Sequence, residues 1–168
     1  MTRTIKPTTA WWCLTPFLSP KQIIEASASI GYAGIEFAPR DQWDAIVDAG
    51  LRIVCVRGHN DYIDGLCDPT QHDRAEAEIL SNLELARQYD IPHLVCFTGE
   101  RRGIDDATGM ANTVAALRRV APAAEEAGVV LALELLNSKV DHPDYLCDHT
   151  AWGVEAITAV DSPAVKLL

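Results

Sequence analysis

Glu134 is the single carboxylate in the apolar run "VVLALELL" (Val129–Leu136). Burying an ionised carboxylate without a partner costs several kcal/mol or forces its pKa upward. A carboxylate in this position is therefore either paired with a Lys or Arg of a neighbouring strand or held out of water to handle protons. The residues that follow, "NSKVDHPDY", place Asn137, Lys139, Asp141, His142, Asp144 and Tyr145 in one loop. Such a concentration of polar groups is what a small polar substrate requires. Glu36, in "GIEF", is either a second inward carboxylate or the ion-pair partner of Arg40, Arg52 or Arg57. His59, in "RGHNDYIDG", is a substrate hydrogen-bonder, a metal ligand or a loop residue. Trp11 and Trp12, in the run "AWWCL", are expected to end the first strand; one of two neighbours on a strand points inward, where an indole walls a pocket. "TGERRG" (Thr98–Gly103) offers two arginines to an anionic group, or is a solvated turn.

These residues need elements to hold them, and the sequence supplies a repeating one: an amphipathic helical segment, a glycine or short break, then a short apolar run. The runs are "AWWCL", "AGIEF", "LRIVCVR", "HLVCFTG", "VVLALELL" and "AVKLL". A first helix opens at "SPKQ", where Ser19 caps, Pro20 suits the first turn and Gln22 completes a capping box, and it stops at Gly31. A second runs from Asp41 to Gly50. A third begins after Asp68 and Pro69 with Ile79, Leu83 and Ala86 on one face, and a fourth carries Val114, Leu117, Ala121 and Ala124 before Gly128. The fifth spans Thr150 to Val160.

Short strands alternating with longer amphipathic helices predict βαβ units and a parallel sheet. In "VVLALEL", Val129, Leu131, Leu133 and Leu135 point one way, while Val130, Ala132 and Glu134 point the other. In "GIEF", Ile35 and Phe37 are expected outward, with Gly34 and Glu36 inward. A smaller inner set ending in an acid at the C-terminal end of the strand fits a barrel, whose active site is built at that end. The fold class expected is α/β: a partial (β/α)8 TIM barrel of about five and a half βα units with parallel strands, since a full barrel needs eight strands and about 250 residues. Residues 1–168 are expected to form a single domain, the first two-thirds of such a barrel.

Composition sets outer limits. The 168 residues are 48% hydrophobic and 23% charged, which is ordinary globular composition with material for one core. The formal charge of −10 with no basic stripe disfavours nucleic acid as a partner. No apolar run approaches the roughly 20 residues of a membrane span, and the N-terminus lacks the order of a signal peptide. Five cysteines without a Cys-x-x-Cys pair fit a reducing compartment, so the expected location is cytoplasmic.

"GIEF", "AGLRIVCVRGH", "FTGERRG", "LELLNSKVDHPDY" and "SPAVKLL" together resemble the hydroxypyruvate isomerase family, within the xylose-isomerase-like superfamily of sugar isomerases and epimerases. The resemblance implies aldose–ketose isomerisation through an enediolate, with paired glutamates and a divalent metal ion, magnesium or manganese. Glu134 corresponds to the first glutamate, as catalytic acid/base and metal ligand. Trp11, Glu36, His59, Asn137, Asp141 and His142 are the expected substrate-binding residues. The substrate implied is a small hydroxy-carbonyl compound or sugar, and the family's dimers and tetramers leave a homo-oligomer open. The family pattern continues beyond "VKLL" with a metal-binding aspartate, a histidine or glutamine ligand and the second glutamate. This chain alone is therefore expected to retain no metal and to be inactive. The alternatives are a sugar 3-epimerase of the same superfamily, a metal-dependent nuclease on the same barrel, and a non-catalytic, truncated barrel fragment.

Overall fold

The helices begin and end where their local chemistry directs. In the computed structural model, which describes residues 5–60 and 62–168, the Ser19 N–H and hydroxyl both donate to Gln22 Oε1, at 3.0 and 2.8 Å. This closes the start of the helix Pro20–Ile30. Gly31 ends that helix and Gly128 ends Asp106–Ala127, each in the left-handed conformation that glycine adopts without a Cβ clash. Asp105 caps the latter helix by accepting from the Thr108 N–H at 2.9 Å. That bond holds its carboxyl below the usual range.

The chain divides into two compact units. The first comprises the residues up to Val56 with Tyr89–Ile91. It holds strands β1 (Thr8–Ala10), β2 (Gly34–Glu36) and β3 (Arg52–Arg57), of which only Arg57 belongs to the second unit, and helices α1 (Trp11–Leu14), α2 (Pro20–Ile30) and α3 (Trp43–Asp48). The strands pair in parallel, with Thr9 opposite Ile35 and Ile35 opposite Ile53. Ile23, Ile35 and Ile46 are completely buried in this unit. The Trp43 indole N–H donates to the Ala38 carbonyl at 2.9 Å, and its ring meets Tyr89 edge-on at 5.1 Å.

Two expectations need correction here. "AWWCL" is not a strand: β1 ends at its first residue, Ala10, and Trp11 opens α1, buried, with Trp12 exposed beside it. In β2 the alternation stops early. The register with β3 slips between Ile35 and Glu36, which faces Cys55, and Phe37 turns to a φ of +54°. The extra residue on the partner strand breaks the two-residue period, so Phe37 does not continue the face of Ile35.

The second unit comprises Arg57–Gln88 and Pro92–Leu168. It contains α4 (His72–Tyr89, all but the last residue), β4 (His93–Cys96), α5 (Asp106–Ala127), β5 (Val130–Leu133), α6 (Thr150–Val160) and β6 (Val165–Leu167). Its strands are also parallel, with Leu94 opposite Leu131 and Leu131 opposite Val165. Ile79, Leu83 and Ala86 of α4 and Leu117, Ala121 and Ala124 of α5 are buried, as their helical spacing predicts. Val129, Leu131 and Leu133 are buried too, leaving Glu134 to emerge at the C-terminal end of β5. Parallel strands separated by helices, in the order the sequence predicts, make the fold α/β. Among the described residues no helix is long and apolar enough to cross a membrane.

Candidate functional site

β5 delivers Glu134 one residue past its last paired position. The Glu134 N–H donates to the Cys96 carbonyl at 3.0 Å, and its carbonyl accepts from the Tyr145 phenol at 3.0 Å. The side chain is half-buried. That burial raises its carboxyl above the ordinary carboxylate value, while the Arg57 guanidinium at the end of β3 pulls it back down. A carboxyl lifted toward neutrality can accept a proton and return it.

A series of rings gathers in the same unit. His59 meets Phe97 edge-on at 5.7 Å, Phe97 meets Tyr62 at 6.4 Å, Tyr62 meets His142 at 5.1 Å, and His142 lies 6.3 Å from Tyr145. Offset and edge-on ring pairs of this kind fix side-chain orientation beyond what burial alone provides. His59 is fully buried, and its Nε2 accepts the Phe97 N–H at 3.0 Å. That nitrogen's lone pair therefore faces the backbone beyond β4 rather than a ligand.

The loop after β5 is organised from within. Asn137 Oδ1 accepts the Lys139 N–H at 2.9 Å, Asn137 Nδ2 donates to Asp141 at 3.3 Å, and the His142 N–H donates to the Asn137 carbonyl at 2.9 Å. Asn137 and Asp141 are exposed and shape the turn that presents His142. The loop then lies along the segment after β4, where Arg101 N–H donates to the Asp144 carbonyl and Leu146 N–H to the Gly99 carbonyl, at 2.7 and 3.0 Å. Of the expected residues, Glu134, His59 and His142 thus share one neighbourhood through Phe97, Tyr62 and Tyr145.

Trp11 and Glu36 belong to the first unit. Glu36 Oε1 accepts the Thr8 hydroxyl at 2.5 Å, whereas Arg52 pairs with Asp90 at 2.9 Å. The arginines of "TGERRG" are neutralised by the chain's own acids, which leaves the anion-binding reading of that turn without support. Arg101 pairs with Asp106 and lies 3.6 Å from Asp148, and Arg102 pairs with Asp64 at 2.6 Å.

Among the described residues, no group of three or more His, Cys, Asp and Glu side chains could hold a metal ion. A hard divalent cation takes about six oxygen ligands. Glu134 offers one carboxylate, so the residues present do not by themselves fit the cation that the resemblance implies.

Sequence reasoning counted Tyr145 only among the polar groups of the loop, met Thr98 only as the start of a turn, and did not single out Phe97. For Tyr145 a signal exists: Tyr145, Leu146 and Cys147 form an apolar triplet inside a polar loop, and all three are completely buried.

The family model described as Xylose isomerase-like TIM barrel matches residues 24–168. No curated protein matches the chain in sequence. Among solved structures, it superposes on an AP endonuclease, family 2, from Brucella melitensis with a TM-score of 0.85 at 17% identity, covering 97% of this chain and 67% of that one. The IOLI protein crystallised with a binding zinc atom gives 0.77 at 16% identity, and D-psicose 3-epimerase in the presence of D-fructose gives 0.72 at 18%. Each of these two covers 97% of this chain, which spans only 62% of theirs. At these identities the likeness establishes the fold, a TIM-barrel-like α/β architecture.

Proposed function

The chain belongs to the xylose isomerase-like TIM-barrel family, and from that premise we propose that it carries part of the site of a hydroxypyruvate isomerase-like enzyme, with Glu134 as the proton-transferring base. The observation that carries this reading is the desolvated Glu134 carboxyl at the C-terminal end of β5, the end at which barrel enzymes of this architecture do their chemistry. The carbonyl of a hydroxy-carbonyl substrate acidifies the proton on its neighbouring carbon. Glu134 takes that proton, leaving an enediolate, and the proton returns to the adjacent carbon while the hydroxyl proton passes from one oxygen to the other, so that aldehyde and ketone exchange places. Tyr62, Phe97 and His142 offer the apolar and polar surface against which a small substrate is oriented. The resemblance pairs Glu134 with a second glutamate and a divalent metal ion.

A second reading, a sugar epimerase, draws on the superposition with D-psicose 3-epimerase. Epimerisation returns the proton to the same carbon from the opposite face, so it needs an acid on each side of the substrate. The two readings separate by substrate. In the native-length polypeptide, hydroxypyruvate is expected to turn over in preference to ketohexoses, and Glu134→Gln to lower turnover by about 10²–10⁴-fold with an unchanged circular dichroism spectrum. Activity of Glu134→Gln within a few-fold of wild type removes Glu134 as the base. Preference for ketohexoses selects the epimerase.

A further inference from the structure

The parallel ladder between β4 and β5 continues past the last paired residues, Cys96 and Leu133, with the Glu134 N–H on the Cys96 carbonyl. In a regular parallel ladder the next rung would run from the Thr98 N–H to the Glu134 carbonyl. It does not form directly. The Tyr145 phenol oxygen stands in the gap: it accepts the Thr98 N–H at 3.0 Å and donates its own proton to the Glu134 carbonyl at 3.0 Å. Tyr145 is completely buried, and burial raises its phenol well above the usual range, so the hydroxyl keeps its proton and remains a donor. The Thr98 hydroxyl in turn accepts the Cys147 N–H at 3.1 Å, two residues beyond Tyr145, which anchors the phenol's own backbone to the same segment.

We propose that Tyr145 is a positioning residue for Glu134: its hydroxyl replaces one rung of the ladder and holds the ends of β4 and β5 apart at the residue that carries the base. The function of this spacing rests on the isomerase reading of Glu134. A water molecule bridging the same gap would exchange and drift. A phenol tethered through a buried ring cannot, so the Glu134 backbone has one position instead of several. Without the hydroxyl, Thr98 N–H and Glu134 C=O face each other with no intermediary. The ladder then closes by one rung and draws Glu134 toward β4.

The test compares Tyr145→Phe with wild type in the native-length polypeptide, at one pH, by two readouts. The first is the carbon-13 resonance of the Glu134 carboxyl together with through-hydrogen-bond coupling between the Thr98 nitrogen and the Glu134 carbonyl. The coupling is expected only in Tyr145→Phe, accompanied by a displaced Glu134 carboxyl resonance. A Tyr145 that merely stabilises the fold lowers the melting temperature and leaves both signals as in wild type, and that result overturns the proposal. The second is hydroxypyruvate turnover: kcat is expected to fall about 10²-fold, the scale of a 1 Å misplacement, with KM little changed. Fluorotyrosine at position 145 preserves ring and hydroxyl, so both readouts should stay as in wild type; if Tyr145→Phe does not fold, wild type decides, because a direct coupling between the Thr98 nitrogen and the Glu134 carbonyl there would overturn the proposal. Wild-type kcat in Tyr145→Phe, where Glu134→Gln is inactive, refutes positioning alone. Full activity of Glu134→Gln refutes the isomerase reading, and the coupling measurement then decides the spacing role by itself.

Discussion

Gly65 and Gly99 lie back to back, and adding one carbon to Gly65 should be among the most damaging small changes available to the second unit. A Cβ built on Gly65 falls 2.4 Å from the Gly99 nitrogen, 2.5 Å from the Thr98 carbonyl carbon and 2.6 Å from the Phe97 oxygen. Comfortable carbon contacts begin near 3.5 Å, so each overlap is about 1 Å, and every atom met is backbone that no rotamer change can move. The loop after β3 must therefore lift from the segment after β4. Three hydrogen bonds cross this contact: Leu66 N–H to Phe97 at 3.0 Å, Cys67 N–H to Thr98 at 2.7 Å and Glu100 N–H to Ile63 at 2.9 Å. Losing or stretching them costs about 0.5–1.5 kcal/mol each, and overpacking adds about 1–3 kcal/mol. Reduced freedom of the unfolded chain returns only about 0.4–1 kcal/mol. The expected net loss for Gly65→Ala is about 2–7 kcal/mol, a large share of the roughly 5–15 kcal/mol that a domain has. Urea denaturation followed by circular dichroism measures it. A Gly65→Ala midpoint indistinguishable from wild type would mean that the two loops do not approach as described.

Glu134→Gln should stabilise the protein at neutral pH even as it removes the base. The folded carboxyl is raised by burial, so between its unfolded and folded pKa values the folded state holds the proton more tightly. Stability from this group is thus greatest at low pH and declines as pH rises through that window, although Arg57 limits the effect. The variant's gain in melting temperature should be present at pH 7 and vanish below about pH 4, where both states of wild type are protonated. A gain that does not change with pH would assign it to packing instead. Thiol labelling tests burial: Cys13 is exposed, while Cys55, Cys67, Cys96 and Cys147 are buried. Burial pushes the Cys67 thiol up to about 11 and those of Cys96 and Cys147 up to about 12. One thiol should therefore react rapidly with an aromatic disulfide reagent in the native protein and five in urea. Two or more fast native thiols would contradict the burial of Cys55, Cys67, Cys96 and Cys147.

What the sequence determined by itself is the set of elements whose causes are local. The Ser19–Gln22 box, the glycines at 31 and 128, and the buried stripes of α4 and α5 all rest on residues within a turn or two of one another, so they are legible without a fold. The position of Glu134 at a strand end was legible for the same reason. β1 was not: Thr8–Ala10 is three half-buried residues, too short to show an alternating period, and the more apolar Trp-Trp pair beside it drew the reading to the wrong stretch. Glu36 likewise lost its expected pattern to a slip of register that no single strand encodes.

Only the tertiary structure decided what surrounds the carboxylate. His59 meets Phe97 across 38 positions of chain, and Tyr145 reaches Thr98 across 47. Arg102, read from the sequence as part of an anion-holding or solvated turn, finds Asp64, likewise far from it in the chain. A hydrogen bond between distant residues leaves no periodic trace in composition or spacing. A phenol that takes the place of a ladder rung is visible only once the two strands that it separates lie side by side.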